Sequence, residues 1–270
     1  MQSPPAFGPR LRWWRTHRGQ SQLALAGAAE ISQRHLSFLE SGRTAPSRDM
    51  VLRLAAALDL PLRQQNALLL AAGFAPVWRE SALAAPELAE VMRALDHMLA
   101  QQEPYPAFVV DRRWNLLRAN AGAARLTEFL LGPPAQPAAP VNLADALMSP
   151  AALRPLIANW EEVALYFMRG VQADALADGT AETAALAQRL AAYPNAAALA
   201  RAVPAEPHGP VLTIHFHKGD TSLRMFTTIA TLGTAHDVTL QEIRIECFFP
   251  ADAATAALLH AWAGASLPVA

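Results

Sequence analysis

The 270-residue sequence contains a single cysteine, which excludes an intramolecular disulfide and any metal site that needs several thiolates. No apolar run reaches the roughly 18 residues that a membrane-spanning helix needs, so no membrane association is expected. The nucleophile elbow, the phosphate-binding loop and the His-Glu-x-x-His zinc motif are also missing from the sequence. We therefore predict a cytoplasmic protein with no enzyme activity and no cofactor.

Charge is unevenly distributed along the chain. Residues 1–75 contain nine arginines, no lysine and four acidic residues, a net charge of +5, whereas residues 76–270 carry a net charge of −6. Hydrophobic residues make up 53% of the sequence, enough for both parts to bury a core. A small basic part joined to a larger acidic one is typical of a polyanion-binding head on a different body.

The basic part has the pattern of short helices joined by tight turns. A first helix is expected from near Pro9 to Gly19, and Ser21 and Ser32 are suited to cap the N-termini of the next two. Gly42 is expected to end the third helix. That helix has an apolar stripe, so its opposite stripe should face outward: Gln33, Arg34, Ser37, Phe38 and Ser41.

This pattern resembles the phage-repressor (Xre-like) family of helix-turn-helix proteins. The matching run is Gly19-Gln20-Ser21-Gln22, then Ile31-Ser32, Leu36-Ser37 and Glu40-Ser41-Gly42-Arg43. The resemblance implies a five-helix unit, with the fourth helix at Arg48–Leu58 and the fifth at Arg63–Ala72. It departs at Glu30, where the family has a turn glycine; a positive φ there would cost about 1 kcal/mol.

The resemblance also implies double-stranded DNA as a partner. Gln33, Arg34 and Ser37 would face base edges in the major groove, unless they are only a solvated helix face. Phe38 would touch a thymine methyl group or pack against a neighbour. Gln22 would contact a phosphate and brace the recognition helix. The other phosphate contacts would come from Ser32, Arg43, Ser47 and Arg48.

The larger body changes from helical to period-two patterns along its length. It opens with a helix at Pro86–Gln102 and a hairpin of Tyr105–Asp111 with Trp114–Ala119. A mostly helical stretch follows, in which Gly132–Pro140 is a loop, and then come three strands and a final helix. Two strands, several helices and three strands form the order of a PAS-like domain. The expected later helices are 120–131, 143–148, 150–158, 160–177, 180–192, 196–203 and 251–263; the expected strands are 211–218, 223–231 and 239–249.

Several segments extend the resemblance over nearly the whole chain, to the MmyB-like regulators of bacteria. That family joins an Xre-type head to a PAS-like ligand-binding domain, so an α+β fold class is expected, with a five-stranded antiparallel sheet in the body. The implied domains are a DNA-binding domain at 1–78, a linker and connecting helix at 79–104, and a ligand-binding domain at 105–270. The matching segments are 36–43, 66–75, 103–106, 110–115, 154–157, 159–162 and 246–252.

A ligand pocket needs apolar walls and a few polar anchors. The effector expected from the resemblance is fatty-acid-like or otherwise small and amphipathic. Arg154, Asn120 and Asn159 would hold its carboxylate, although both asparagines would serve equally well as helix caps. Each wall candidate would serve equally as plain core: Phe108, Val110, Trp114, Leu116, Trp160, Phe167, Phe216, Phe226, Ile243 and Ile245.

Two further interpretations of the body remain open at the level of sequence. His215 and His217 share one face of a predicted strand, but no spacing joins them to His208, His236 or Cys247 as a metal site, and none is predicted. DNA-binding heads of this size usually act in pairs, so a homodimer is expected. The alternative to a ligand sensor is a module with a filled core that dimerises or recruits a partner.

Overall fold

The computed structural model of the protein describes residues 6–133, 141–199, 201–202 and 209–264. The chain forms two compact units. The first unit comprises Met1–Ser81, Asp174–Ala184 and Thr234–Gln241. The second comprises Ala82–Ala173, Ala185–Gly233 and Glu242–Ala270. Neither unit is contiguous in sequence, because two short late segments belong to the first.

Five helices form most of the first unit, as the sequence predicts. Three of them begin at serine N-caps: the hydroxyl oxygens of Ser21, Ser32 and Ser47 accept hydrogen bonds from the amides three residues later, at 3.0, 3.1 and 3.2 Å. One apolar core, which includes the fully buried Trp14 and Leu36, joins these helices. The helices are α1 (Phe7–His17), α2 (Gln22–Ala28), α3 (Gln33–Glu40), α4 (Arg48–Ala57) and α5 (Leu62–Ala71).

The two late segments are hydrogen-bonded into the first unit. The side-chain oxygen of Gln241 accepts from the amide of Leu62 at the start of α5, at 2.8 Å. Gly179 has a φ of +60°, and a Cβ built there would lie 2.8 Å from the Trp14 ring. Glycine is therefore required at this position for two reasons, its backbone conformation and its close approach to the ring.

An antiparallel five-stranded sheet in the order β2-β1-β5-β4-β3 organises the second unit. This architecture confirms the predicted α+β fold class. The strands are β1 (Ala107–Val110), β2 (Leu116–Ala119), β3 (Ile214–Lys218), β4 (Thr221–Ala230) and β5 (Arg244–Pro250). The later helices of the chain are α6 (Ala89–Gln101), α7 (Ala121–Leu131), α8 (Leu143–Met148), α9 (Trp160–Asp178), α10 (Ala181–Ala191), α11 (Ala196–Leu199), α12 (Val238–Gln241) and α13 (Ala253–Gly264).

The two faces of this sheet have different surroundings, and we call them inner and outer. The inner face carries Phe108, Met225 and Phe248, which belong to the same buried core as residues of α7, α8, α9 and α13. Side chains alternate between faces along a strand, so the outer face carries Val109 and its cross-strand partner Ile245. The inner face therefore carries the main buried core of the second unit, although Val109 and Ile245 on the outer face are buried as well.

Two predicted elements are wrong. Residues 150–158 are not a helix: they contain a short 3-10 turn, Arg154–Leu156. Pro155 has no amide hydrogen, and the amide of Ala158 instead donates to the carbonyl of His215 in β3, at 2.8 Å. Residues 239–249 are not one strand, because the carboxylate of Asp237 accepts from the amide of Thr239 at 2.9 Å and starts α12.

Some predictions fall on residues outside the described ranges. These are most of the Gly132–Pro140 loop, the end of the 196–203 helix and His208. Within the described residues, no helix combines the length and apolar character needed to cross a membrane.

Candidate functional site

The outward face of α3 is accessible along its length. Gln33 and Arg34 are exposed and Ser37 is half-buried, whereas Leu36 and Leu39 on the opposite face are fully buried. The sequence reasoning identified this division from the apolar stripe alone. A double helix could therefore reach the side chains predicted to contact bases.

Two guanidinium groups lie against the ring of Phe38. The central guanidinium carbon of Arg34 is 5.3 Å from the ring centroid, and that of Arg43 is 5.6 Å from it. Phe38 therefore packs against neighbours on the protein surface, one of the two roles open at the level of sequence. Cation–π contacts of this kind favour ordered arginine side chains on the outward face of α3.

The turn after α3 explains how Arg43 reaches this ring. The amide of Arg43 donates to the carbonyl of Phe38 at 2.9 Å, and the amide of Gly42 donates to that of Leu39 at 3.2 Å. This pair of bonds is the Schellman motif, which requires a left-handed residue, and Gly42 has a φ of 72°. Gly42 therefore ends the helix as predicted and returns the chain over its last turn.

Ser32, Ser47 and Arg48, which are predicted to contact phosphates, lie at the N-termini of α3 and α4, and Arg43 lies in the loop between these two helices. The Ser32 and Ser47 hydroxyls cap α3 and α4, where unpaired amides and the helix dipole favour anions. Each hydroxyl oxygen accepts a backbone hydrogen bond and keeps its own hydrogen for a further acceptor. Arg43 and Arg48 are exposed.

A buried ion pair fixes α3 from behind. The Glu40 carboxylate at the end of α3 accepts from Arg15 of α1 through Nε at 2.6 Å and Nη2 at 3.1 Å. It also accepts from the side-chain nitrogen of Gln22 at 2.8 Å. Gln22 therefore contacts α3 as a brace would. Sequence reasoning missed Glu40 as a buried partner, because an acidic residue on a helix is usually solvated.

Glu30 occupies the turn between α2 and α3 with a φ of 55°. The amides of Glu30 and Ile31 donate to the carbonyls of Gly27 and Ala26, so this turn is also a Schellman motif. Glu30 therefore has the positive φ that the sequence comparison raised, and a non-glycine residue adopts this conformation only with strain. The Glu30 side chain is exposed.

Most predicted ligand-wall residues belong to the inner core of the second unit. Phe108, Val110, Trp114, Trp160 and Phe216 are at most 8% exposed there, and Leu116 and Phe167 are half-buried and pack against them. The Trp114 and Phe167 rings meet edge to face, with centroids 4.7 Å apart. The structure therefore brings seven of the ten wall candidates together.

The other three wall candidates lie on the outer face, so they do not line the inner core. Phe226 stacks on Phe249, with ring centroids 5.5 Å apart. Ile245 is the cross-strand partner of Val109, which lies on the outer face. Ile243 lies two residues before Ile245 and therefore shares its face. These three predictions are wrong because alternation within a strand shows only which residues share a face. Deciding which face of β5 matches which face of β1 requires the register between the strands.

The predicted polar anchors are occupied by contacts within the protein. Asn120 caps α7 by accepting from the amide of Ala123 and also accepts from the amide of Ala107. Asn159 donates to the carbonyl of Thr213 and accepts from the amide of His215. The Arg154 guanidinium lies 3.7 Å from the Trp160 ring centroid and donates to the Pro194 carbonyl. These contacts assign structural roles to all three side chains.

Two polar groups of the inner core were not identified as anchors from the sequence. Glu246 faces inward between Phe108 and Ile229, and burial raises its pKa to about 7, although a hydrogen bond from Thr227 lowers it. The indole nitrogen of Trp114 is buried and has no hydrogen-bond partner among the described residues. The sequence could have indicated Glu246, because it lies two residues before Phe248 on a predicted strand. The two side chains therefore share one face, which places an acid on an apolar face.

A pocket of about 200 Å³ lies on the outer side of the sheet. Its volume is below the roughly 300 Å³ at which small-molecule sites begin. Ile243 is the predicted wall residue that it contains. Its lining comprises Leu83, Ala84, Met92, Leu95, Val109, Leu117, Arg118 and Ile243.

The described part of the chain contains no group of three His, Cys, Asp or Glu side chains that could hold a metal ion. His215 and His217 pair with Arg224 and Ser222 of β4 and share the outer face, as their spacing implies.

Comparison with protein families matches two parts of the chain. The family described as "MmyB-like transcription regulator ligand binding domain" matches residues 91–261, and a helix-turn-helix domain matches residues 6–68. Both are domains of transcription regulators rather than enzymes. No curated protein matches the chain.

Proposed function

The chain belongs to the MmyB-like transcription regulators, and on that premise we propose a sequence-specific, homodimeric DNA-binding protein controlled by a small apolar or amphipathic ligand. DNA binding itself follows from the helix-turn-helix and the family. The proposal adds which side chains contact DNA, that the protein is a homodimer, and the class of its ligand. A fatty-acid-like molecule is the first candidate for that ligand.

The observation that carries the DNA-contact proposal is the outward face of α3. Arg34 is exposed beside Phe38, and an arginine fork can pair with the two major-groove acceptors of guanine. Gln33, also exposed, is suited to adenine in the same way. Ser32, Ser47, Arg43 and Arg48 then supply sequence-independent phosphate contacts that set the register.

The ligand proposal is supported by the inner face of the sheet. The five-stranded antiparallel sheet, with helices packed on one face, supports a PAS-like domain. Trp114 carries a buried donor without a partner among the described residues, and Glu246 is a desolvated acid on an apolar face. A plain core would gain stability from replacing such groups, whereas a bound amphipath could satisfy them.

The dimer and the ligand are linked in this proposal. Two heads would occupy half-sites about 34 Å apart, one turn of DNA. A ligand changes occupancy only if it prefers one arrangement of the heads over another, and a hundredfold preference corresponds to about 2.7 kcal/mol.

A second candidate function is favoured by the density of the inner core. Five of the seven wall residues gathered there are at most 8% exposed, as in a filled core that only dimerises or recruits a partner. Native mass spectrometry of the gently purified protein separates the candidates. A co-purified amphipath supports sensing, whereas a ligand-free protein that also binds no added amphipath supports the interaction module.

A further inference from the structure

Phe38 is an apolar side chain on a helix face that is otherwise polar. The other residues of the outward stripe of α3 are Gln33, Arg34, Ser37 and Ser41, and Phe38 itself is half-buried. Among the described residues, the apolar core that joins the helices of the first unit does not include Phe38. Packing in that core therefore does not account for a phenylalanine at this position.

The contacts of the Phe38 ring leave its edge for a further partner. The guanidinium carbons of Arg34 and Arg43 lie over the ring, 5.3 and 5.6 Å from its centroid. Cations take the π-face of an aromatic ring, and the edge consists of C–H groups that offer no hydrogen bond. In the major groove, the apolar group that the bases present is the 5-methyl group of thymine, and a phenylalanine ring can contact it.

The spacing of Arg34 and Phe38 is compatible with the spacing of base pairs. The two residues are one helical turn apart, about 6 Å along the axis of α3. The guanidinium carbon and the ring centroid are 5.3 Å apart, which lies between one and two base-pair rises of about 3.4 Å. When Arg34 pairs with a guanine, Phe38 therefore lies close to a base within about two base pairs of it.

We propose that Phe38 is a specificity-determining residue that contacts the 5-methyl group of a thymine within about two base pairs of the guanine bound by Arg34. This inference rests on the base contacts proposed above for α3 and adds a second base to them. Burial of one methyl group should strengthen binding about fourfold, which corresponds to about 0.8 kcal/mol. The packing of the two side chains then presents a donor fork and an apolar edge side by side.

The test removes single methyl groups from the DNA. An operator is selected from a random pool with the full-length protein, and the guanine whose preference depends on Arg34 is located with Arg34→Ala. Each thymine is then replaced in turn by deoxyuridine, which lacks the 5-methyl group and keeps the base pairing. One replacement near that guanine should weaken wild-type binding about fourfold. At the same position, 5-methylcytosine should bind more tightly than cytosine by a similar factor, because its methyl group occupies the same place in the groove.

Protein variants show which side chain detects the methyl group. In Phe38→Ala, the effect of deoxyuridine should fall below about 1.5-fold, because the partner of the methyl group is gone. Arg43→Ala is the matched control, since Arg43 lies over the same ring but is expected to bind a phosphate. Arg43→Ala should weaken binding to every DNA and keep the effect of deoxyuridine at about fourfold.

Two results would overturn this role of Phe38 and leave DNA recognition by α3 intact. The first is a guanine that depends on Arg34 without any thymine nearby whose methyl group matters, and this measurement needs no Phe38 variant. The second is a deoxyuridine effect of equal size in wild type and Phe38→Ala. If Arg34→Ala changed no base preference at all, the base contacts proposed for α3 would fail instead.

Discussion

The guanidinium of Arg34 lies against the ring of Phe38, 5.3 Å from its centroid, one turn along the exposed face of α3. Arg43 lies against the same ring from the following turn. A free arginine side chain loses about 2 kcal/mol of rotamer entropy when it is fixed, and this packing restrains it before DNA arrives. Phe38 would thus prepare Arg34 for the proposed base contact.

Replacing Phe38 tests this preparation. Phe38→Leu removes the aromatic ring, and the loss of an exposed cation–π contact, about 0.5–1 kcal/mol, should weaken operator binding roughly two- to fivefold. Phe38→Tyr keeps the ring and should bind within about twofold of wild type. Fluorescence anisotropy on a selected operator measures both. Equal affinity for the two variants would show that the ring itself is not needed.

The buried Arg15–Glu40 pair predicts a large stability effect. Glu40→Gln leaves the Arg15 guanidinium buried without its counter-charge, which should cost about 3 kcal/mol or more of the free energy of unfolding. The side chains of the pair are only 9% and 3% exposed, so water cannot replace the lost contact. Chemical denaturation followed by helical circular dichroism gives the value.

A matched control exists in the same unit. Arg63 and Glu80 also form a two-bond pair, but the Glu80 side chain is 56% exposed. Glu80→Gln should therefore cost less than about 1 kcal/mol. Similar losses in Glu40→Gln and Glu80→Gln would contradict the structural role given to the buried pair.

Glu30 predicts a variant that improves both stability and binding. Glu30→Gly relieves a positive φ and should raise the free energy of unfolding by up to about 1 kcal/mol. It also removes an acid beside the recognition helix, so DNA affinity should rise, most clearly at low salt. Asp59→Gly is the control: it relieves a φ of 48° at the end of α4, about 15 Å along that helix from Arg48. Asp59→Gly should gain stability without a comparable gain in DNA affinity.

Glu246 predicts the pH dependence of stability. Its pKa is raised from 4.5 to about 7, so between these values the folded protein holds a proton that the unfolded chain has released. Stability therefore falls as pH rises through this window and stays lower above it. Glu246→Gln should remove this component and be more stable than wild type at pH 8 by about 1–2 kcal/mol, allowing for partial exposure. The free energy of unfolding of both proteins is measured at pH 5 and pH 8. If the difference between Glu246→Gln and wild type were the same at both pH values, the raised pKa of Glu246 would be contradicted.

The helical head could be predicted from the sequence because its signals are local. Ser21, Ser32 and Gly42 fix helix ends within a few residues, and the Leu36–Leu39 stripe determines which face of α3 is exposed. The buried contact of Glu40 with Arg15 could not be predicted, because it depends on how α1 and α3 approach one another.

The ligand core was predictable only in part for the same reason. Phe108 and Val110 were expected as pocket walls and lie on the inner face, but placing Ile245 and Phe226 required the register of β5 against β1 and β4. Asn159 was recognised as a polar residue at a helix start, yet its bonds to Thr213 and His215 link segments more than fifty residues apart. Local pattern carries no information about such pairings.

The central claim, that the exposed face of α3 reads DNA sequence, is tested most directly by comparing Arg34→Ala with Arg43→Ala. An operator is first selected from a random DNA pool with wild-type protein, and binding is then measured across salt concentrations and single-base changes. Arg34→Ala should lose about 1–3 kcal/mol and relax the preference at one base pair, whereas Arg43→Ala should weaken binding to all sequences and lower the salt slope by about one. If Arg34→Ala kept both the affinity and the base preference of wild type, α3 would not be the recognition helix.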